Sequence, residues 1–509
     1  MNRARLNGLV IILLGAALLT VATYFAEVPK NPPGFFVDES SIAYNAHLIS
    51  KSDGDEHGQK WPLFFRAFGE YKSPTYIYLL AGLYSLTGPS IAVARALSPT
   101  LGMAAALVLG LVGAFSTRTL RDGQEGSRTD LELTIGLVVV LTALVTPWLF
   151  EMSRLVFEVS LLPLALALFL LAVLRAHYKR NWEWSDSALV AITLGVITYT
   201  YSVGRLLAPL LAFGLLLFGG RGGVGRWFRA TFRTWLVYGV FLIPLLIFSR
   251  THAGALGSRF GHVSYITATS SWADIAHRFV LSYVGSFNPV FWLVSGDPEP
   301  RHHVQTMGSL LAASVVLAAI GLVTVLARSR LRRDPWWRFV LYGLVVAPIP
   351  SSLTIDHFHT LRLVALPIFL LLLMVPALAW LLEAKSRLGR AIFALLLVCI
   401  LVQGAVFRWQ FHRASPQRWH NFDTFYREVF QTAIRISNRP IYLIDNHGAP
   451  GYVHAYWYAT LGGMETGQFI VLPKEQRPPP GALVISTEWP CSDCQMILER
   501  ASFRAYVQK

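Results

Sequence analysis

Two adjacent carboxylates, Asp38 and Glu39, follow the first long apolar run in the segment Pro32-Pro33-Gly34-Phe35-Phe36-Val37-Asp38-Glu39-Ser40-Ser41-Ile42. Apolar surroundings raise a carboxylate's proton affinity. A general base needs such placement to take a proton from a hydroxyl near neutral pH. The plainer role is local: Asp38 stands where a helix N-cap belongs, and Glu39 would favour the helix dipole. Further on comes Glu70-Tyr71-Lys72-Ser73-Pro74, with Ser73 suited to an N-cap and Pro74 to a first helical position. Lys72 then sits before a helix N-terminus, where a cation is disfavoured unless it shares an anion with the free backbone N–H groups. A phosphate fits; the alternative is a snorkelling surface lysine.

The run Asp297-Pro298-Glu299-Pro300-Arg301-His302-His303 gathers metal-ligating residue types, but its spacing matches no closed ligand set. His302 and His303, with Glu70 and Tyr71, are read as substrate contacts, and Glu70, Asp297 and His302 as the residues that could serve a divalent cation. Of three cysteines, Cys399 lies in an apolar run as a packing residue. Cys491 and Cys494 read as a small disulfide rather than a zinc half-site or a redox pair.

These residues hang on long apolar elements. Of 509 residues 54% are hydrophobic and 14% charged, against about 25% charged in soluble domains. Runs long enough to span a bilayer lie near 7–25, 91–115, 133–150, 156–174, 187–203, 205–219, 234–249, 305–327, 338–352, 362–382 and 390–407. That predicts about eleven transmembrane helices. The first run is too long for a signal peptide, lacks a clean cleavage site and reads as an uncleaved span. The net charge of +15 resides in short clusters between runs: Arg118–Arg128, Arg175–Arg180, Arg221–Arg233, Arg328–Arg338 and Lys385–Arg390. With alternating spans these clusters share one side with Arg3 and Arg5, which the positive-inside bias makes cytoplasmic. The charge is therefore a matter of topology and anionic membrane lipids, and no nucleic-acid partner is expected.

The other side receives a loop at 26–90, a loop at 250–304 and a tail at 408–509. Ile42, Ala46 and Ile49 recur at helical spacing and predict an amphipathic helix at the membrane surface. The tail alternates strand-like runs at Ile441–Ile444 and Ala482–Ile485 with a helix-like stretch from Phe422 to Ile436, and Pro478–Gly481 marks a loop. The expected architecture is a polytopic α-helical membrane module over 1–407 and a small extracytoplasmic α/β domain over 408–509.

At these positions the chain resembles the GT-C glycosyltransferases of the protein O-mannosyltransferase and aminoarabinose transferase type. Asp38-Glu39 resembles their acidic motif, and Glu70-Tyr71-Lys72-Ser73-Pro74 their lysine segment, although Ser73 replaces a usual proline. The Gly88 to Arg95 spacing fits entry into the second span. Pro147-Trp148 with Ser153 to Glu158 resembles the third-to-fourth span junction of bacterial members, and Thr200 to Leu206 and His357 to Arg362 resemble later outer junctions. The resemblance covers about 400 residues and leaves the tail unmatched. It implies a polyprenyl-phosphate sugar donor, an inverting transfer, Asp38 as base, Glu39 as helper or alternate base, and Lys72 on the departing phosphate. It leaves a divalent metal ion open and does not name the acceptor, which could be a lipid, a protein or a glycan.

Arginines where spans meet the outer surface suit bidentate phosphate contact. Arg362 with His359 is the preferred pair for the lipid phosphate, followed by Arg205 and Arg154. A glycan polymerase or ligase at the cell surface would use the same donors. A secondary transporter fits less well, since no internal repeat is visible and the charges gather at span ends. The expected location is the plasma membrane, with the N-terminus cytoplasmic and the active site outside.

Overall fold

The computed structural model describes residues 3–120, 129–179, 181–218, 224–384, 386–436, 440–444, 451–473, 476–487 and 493–509. Arg121, Arg128, Arg180, Arg221 and Lys385 of the basic clusters lie outside these residues, as does Cys491 of the expected disulfide. Two compact units emerge. One comprises Met1–Ala26, Ser98–Ser153 and Glu158–Phe411, the other Glu27–Leu97, Arg154–Phe157 and His412–Lys509. The loop expected at 26–90 thus shares a unit with the C-terminal tail.

The first unit is helical. Among the described residues, five stretches are long and apolar enough to cross a membrane: Ile91–Leu120, Glu158–Tyr178, Phe228–Thr251, Ala365–Glu383 and Arg387–Asn421. Val10–Tyr24, Gly204–Phe218 and Ala312–Ala327 are shorter apolar helices. Each of the remaining expected runs also holds a helix, at Thr129–Val145, Trp184–Thr200 and Pro335–Val346. Each begins and ends a few residues before the apolar run expected there. Pro147, for instance, forces Thr146 into an extended conformation and starts a separate helix, Pro147–Met152.

Helix Ala365–Glu383 is the buried centre of this unit and packs against Ala312–Ala327. The approach requires Gly321, because a Cβ there would lie 1.6 Å from the Leu373 carbonyl oxygen. Small residues that let backbones meet are a common device of helix pairs in membranes. Helix Val224–Thr251 instead leaves Leu236, Val240, Ile243, Leu246 and Ile247 exposed. An apolar face of that size belongs against lipid rather than water.

The second unit holds helices Val37–Ser52 and Pro74–Thr87, a hairpin of β1 (Phe65–Ala67) and β2 (Glu70–Lys72), and the C-terminal α/β piece. Strands β3 (Ile441–Ile444), β4 (Phe469–Leu472), β5 (Leu483–Ser486), β6 (Cys494–Arg500) and β7 (Phe503–Gln508) form one sheet in the order β4-β3-β5-β7-β6. β3 runs parallel to β4 and β5, and β7 antiparallel to β5 and β6. Helices Tyr426–Ile436 and Tyr452–Leu461 accompany it. Cys494 opens β6 and is disulfide-bonded.

The helix read as amphipathic, Val37–Ser52, buries more than one face. Glu39 through Ala46 and Ile49 are all buried, between helices Pro74–Thr87 and Tyr452–Leu461. Periodicity showed the face that meets one neighbour; the second neighbour arrives some 400 residues later in the chain. The loop into this helix depends on Gly34, with φ +71° and a would-be Cβ 2.2 Å from the Phe422 carbonyl oxygen. Gly34→Ala is expected to destabilise the protein, by about 1–2 kcal/mol from backbone conformation and about 1–3 kcal/mol from overpacking. Thermal unfolding in detergent measures this, and an unchanged midpoint would show that residues 422–424 yield freely.

Candidate active site

Asp38 and Lys72 are brought together by two local devices. Phe68 and Gly69 have φ of 53° and 78°, the conformation of a tight two-residue hairpin turn. The turn sets Phe65 opposite Lys72 in the β1–β2 register. Pro74 then starts the following helix at its first position, as expected, and Gly88 ends it with φ +74°. Lys72, buried at 5% exposure, makes an ion pair with Asp38 through Nζ and Oδ1, and Asp38 keeps 32% exposure. The Lys72 ammonium also lies 5.4 Å from the centre of the Phe68 ring.

Asp38 is not the N-cap. The cap is Phe36, whose N–H is accepted by Glu39 Oε2 at 2.9 Å, while the Val37 N–H donates to Asp423 Oδ2 at 3.0 Å. With those donors met by other carboxylates, the Asp38 side chain can turn to Lys72.

Glu39 has a different environment. It is wholly buried, and its two oxygens accept from Arg95 Nε at 3.2 Å, Arg95 Nη2 at 2.7 Å, the Phe36 N–H at 2.9 Å and the Val156 N–H at 3.1 Å. Arg95, also fully buried, donates to the Pro32 carbonyl and lies 5.3 Å from the centre of the Phe35 ring. This network fixes the loop and first turn around Asp38. Arg154 is buried in the same unit and donates to the Asn31 carbonyl from Nε at 3.2 Å and Nη2 at 2.9 Å. Glu70 and Tyr71 lie in β2 opposite Ala67 and Arg66.

The remaining candidates belong to the first unit. Asp297, His302 and His359 form one cluster, in which the two imidazole rings are 4.7 Å apart. Asp297 accepts from the Thr360 N–H and hydroxyl, each at 2.7 Å, and from the Glu299 N–H at 2.9 Å. Burial pushes its carboxyl up, but His302, His359 and the Thr360 amide outweigh burial and hold it well below the usual range. Burial, His302 and Arg362 push the His359 imidazole well down. One ligand atom from each of Asp297, His302 and His359 lies within 4.8 Å of the others, so the three could hold a cation. Tetrahedral zinc with bonds near 2.0–2.1 Å would need a tighter set, roughly 3.3 Å between ligands. The bonds Asp297 already makes fit a loop anchor. Arg362 Nη1 engages Thr354 at 2.9 Å and Asp356 at 2.5 Å. Arg205 Nη1 donates to the Leu256 carbonyl at 3.3 Å. His303 stands apart, buried between Glu151 and the Met307 carbonyl.

Sequence reasoning left Arg95, Glu56, Glu151, Asp423 and His454 out of the site. Arg95 carried a usable signal, a full charge in an apolar helix. The others become visible only through their partners. Glu56 accepts from Asn45 Nδ2 at 3.1 Å and Tyr452 OH at 3.2 Å. Burial raises its carboxyl, partly offset by Asn45 and His57. A raised folded pKa means that Glu56 contributes stability below its unfolded value and loses it as pH rises through the folded one. Glu56→Gln is therefore expected to raise the thermal midpoint at pH 8, with the gain shrinking toward pH 4. A gain that grows in acid would reverse the assignment.

A mainly helical membrane protein with an ArnT-like fold is what these elements define. In particular, the chain superposes on the crystal structure of ArnT from Cupriavidus metallidurans bound to undecaprenyl phosphate, with TM-score 0.57, 98% of each chain covered and 13% identity. The apo state of that ArnT gives TM-score 0.56, 98% coverage of each chain and 14% identity. No protein-family model matches the sequence, and no curated protein matches it. The likeness is one of fold.

Proposed function

We propose that this chain is a membrane glycosyltransferase that moves a sugar from a polyprenyl-phosphate donor to an acceptor hydroxyl on the extracytoplasmic face. The observation that carries the reading is the Asp38–Lys72 ion pair at the head of a buried helix, in a chain whose fold matches an ArnT solved with undecaprenyl phosphate.

An ammonium in contact with a carboxylate holds it ionised and makes it a weak base. The donor phosphate competes with Asp38 for Lys72 and releases it. Asp38 then accepts the acceptor's hydroxyl proton as the oxygen attacks the anomeric carbon from the face opposite the phosphate. The bond from that carbon to the phosphate oxygen breaks, and polyprenyl phosphate departs with its charge on Lys72. Asp38 returns the proton to solvent. Glu39 has no free access to a substrate, and we assign it, with Arg95, to holding the first turn rather than to proton transfer. Arg154 we assign to the same loop through Asn31.

The test is transfer of labelled sugar from a panel of polyprenyl-phosphate sugars to a membrane acceptor, using the purified full chain. Lys72→Met is expected to weaken donor binding about tenfold to a hundredfold, the worth of a charge-assisted contact of about 1.5–3 kcal/mol. If no donor in the panel is bound or consumed by the wild type, the transferase reading fails.

A further inference from the structure

Two residues from the C-terminal part of the second unit close on the helix turn that carries Asp38. Asp423 Oδ2 accepts the Val37 N–H at 3.0 Å and lies 3.2 Å from His454 Nε2. His454 Nδ1 is 2.8 Å from Ser40 Oγ. Val37 and Ser40 flank Asp38 and Glu39 in the chain, so the grip falls on both sides of the two acids. A carboxylate only accepts hydrogen bonds, so His454 Nε2 carries its proton toward Asp423. His454 is 2% exposed and Ser40 fully buried. The His454 ring lies against Tyr426, with ring centres 4.8 Å apart, and stacks on Tyr458. Asp423 has φ +50°, a left-handed conformation that aspartate tolerates better than most residues.

A serine, histidine and aspartate in series invite a hydrolytic reading. The burial argues against it, because a nucleophile must meet a substrate and Ser40 is enclosed within a packed helix. The first turn of a helix has backbone N–H groups without intrahelical partners. Here Glu39 takes one, Asp423 takes the next, and His454 pins the Ser40 side chain.

We propose that Asp423 and His454 are positioning residues that hold the first turn of helix Val37–Ser52 so that Asp38 stays at its working place. This rests on Asp38 being the base of the proposed transfer. It gives the C-terminal piece a task in the chemistry. A shift of about 1 Å in a reacting group can cost about a hundredfold in rate, and these bonds restrain such a shift.

The test uses the full chain in detergent, with His454→Ala, His454→Gln, Asp423→Asn and Ser40→Ala. Hydrogen exchange of the peptide over residues 36–44 reports the grip without any substrate. It is expected to speed up at least about tenfold in His454→Ala, and by less in Asp423→Asn, whose amide oxygen can still accept the Val37 N–H. In the sugar-transfer assay kcat should fall about tenfold or more, with the donor KM raised no more than about twofold, since the loss falls on the base while Lys72 still meets the phosphate. His454→Gln keeps an N–H for Asp423 and should recover part of both losses. Ser40→Ala removes one hydroxyl and guards against a general folding defect in the larger change. Wild-type exchange in all variants overturns the proposal. So does full kcat in His454→Ala alongside an inactive Asp38→Asn, which leaves the transferase reading intact. Faster exchange with a wild type that uses no lipid-linked donor has the opposite meaning: the transfer reading falls, the positioning of a base falls with it, and only the mechanical grip stands.

Discussion

Asp38→Asn is expected to lower sugar transfer at least about a hundredfold, the scale of a lost general base, while polyprenyl phosphate still binds. The substitution keeps the shape of the side chain and removes its ability to take a proton. It also removes the negative charge that competes for Lys72, which is buried and paired with Asp38 in the free protein. Donor phosphate should therefore bind Asp38→Asn at least as tightly as the wild type. This combination, slow turnover with undiminished binding, separates a base from a phosphate ligand, because Lys72→Met should lose binding. Equilibrium binding of labelled polyprenyl phosphate beside single-turnover transfer measures both. Turnover of Asp38→Asn near the wild-type rate would reduce Asp38 to a helix-end residue.

The second large effect concerns stability. Arg95→Met leaves Glu39 fully buried with its two strongest donors gone. Breaking a buried pair from one side costs about 3–5 kcal/mol, because the remaining charge cannot reach water. Chemical unfolding in detergent should show a loss of that size, or a correspondingly shorter half-life where unfolding is irreversible. Glu39→Gln added to Arg95→Met removes the orphaned charge and should restore part of the loss. If the double variant is as unstable as the sum of the two singles, the residues do not act as a pair. The same comparison bears on function, since Glu39 would have to be accessible to serve as an alternate base, and four N–H donors hold it in the interior.

Asp38 and Lys72 were both legible in the sequence because local signals mark them: an acid after an apolar run, and a cation before Ser-Pro at a helix start. Their contact was not, since it depends on the two-residue turn at Phe68 and Gly69 and on the docking of two helices. The difference in surroundings between Asp38 and Glu39 was equally hidden. Adjacent residues in the first turn of a helix point in different directions, and which one meets Arg95 is decided by packing. The histidine-rich loop shows the limit from the other side. Asp297, His302 and His359 do assemble, while neighbouring His303 turns to Glu151, and spacing along the chain cannot separate two such neighbours.

Long apolar runs, the scarcity of charge and the segregation of Arg and Lys are one-dimensional properties, and the mainly helical membrane character follows from them because each helix satisfies its own backbone within the bilayer. The strands at Ile441–Ile444 and near Leu483, and the helix ending at Ile436, were also within reach of local pattern. Tertiary structure alone decided that the segment 27–97 and the tail share one unit, and that Gly34 admits residues 422–424 against the loop before Asp38. It alone decided that Asp423 and His454 grip that helix. The physical reason is distance along the chain. Periodicity and capping report on neighbours a few residues apart, whereas these contacts join groups separated by nearly 400 positions or more, and their partners are selected by shape and charge only once the chain has closed on itself.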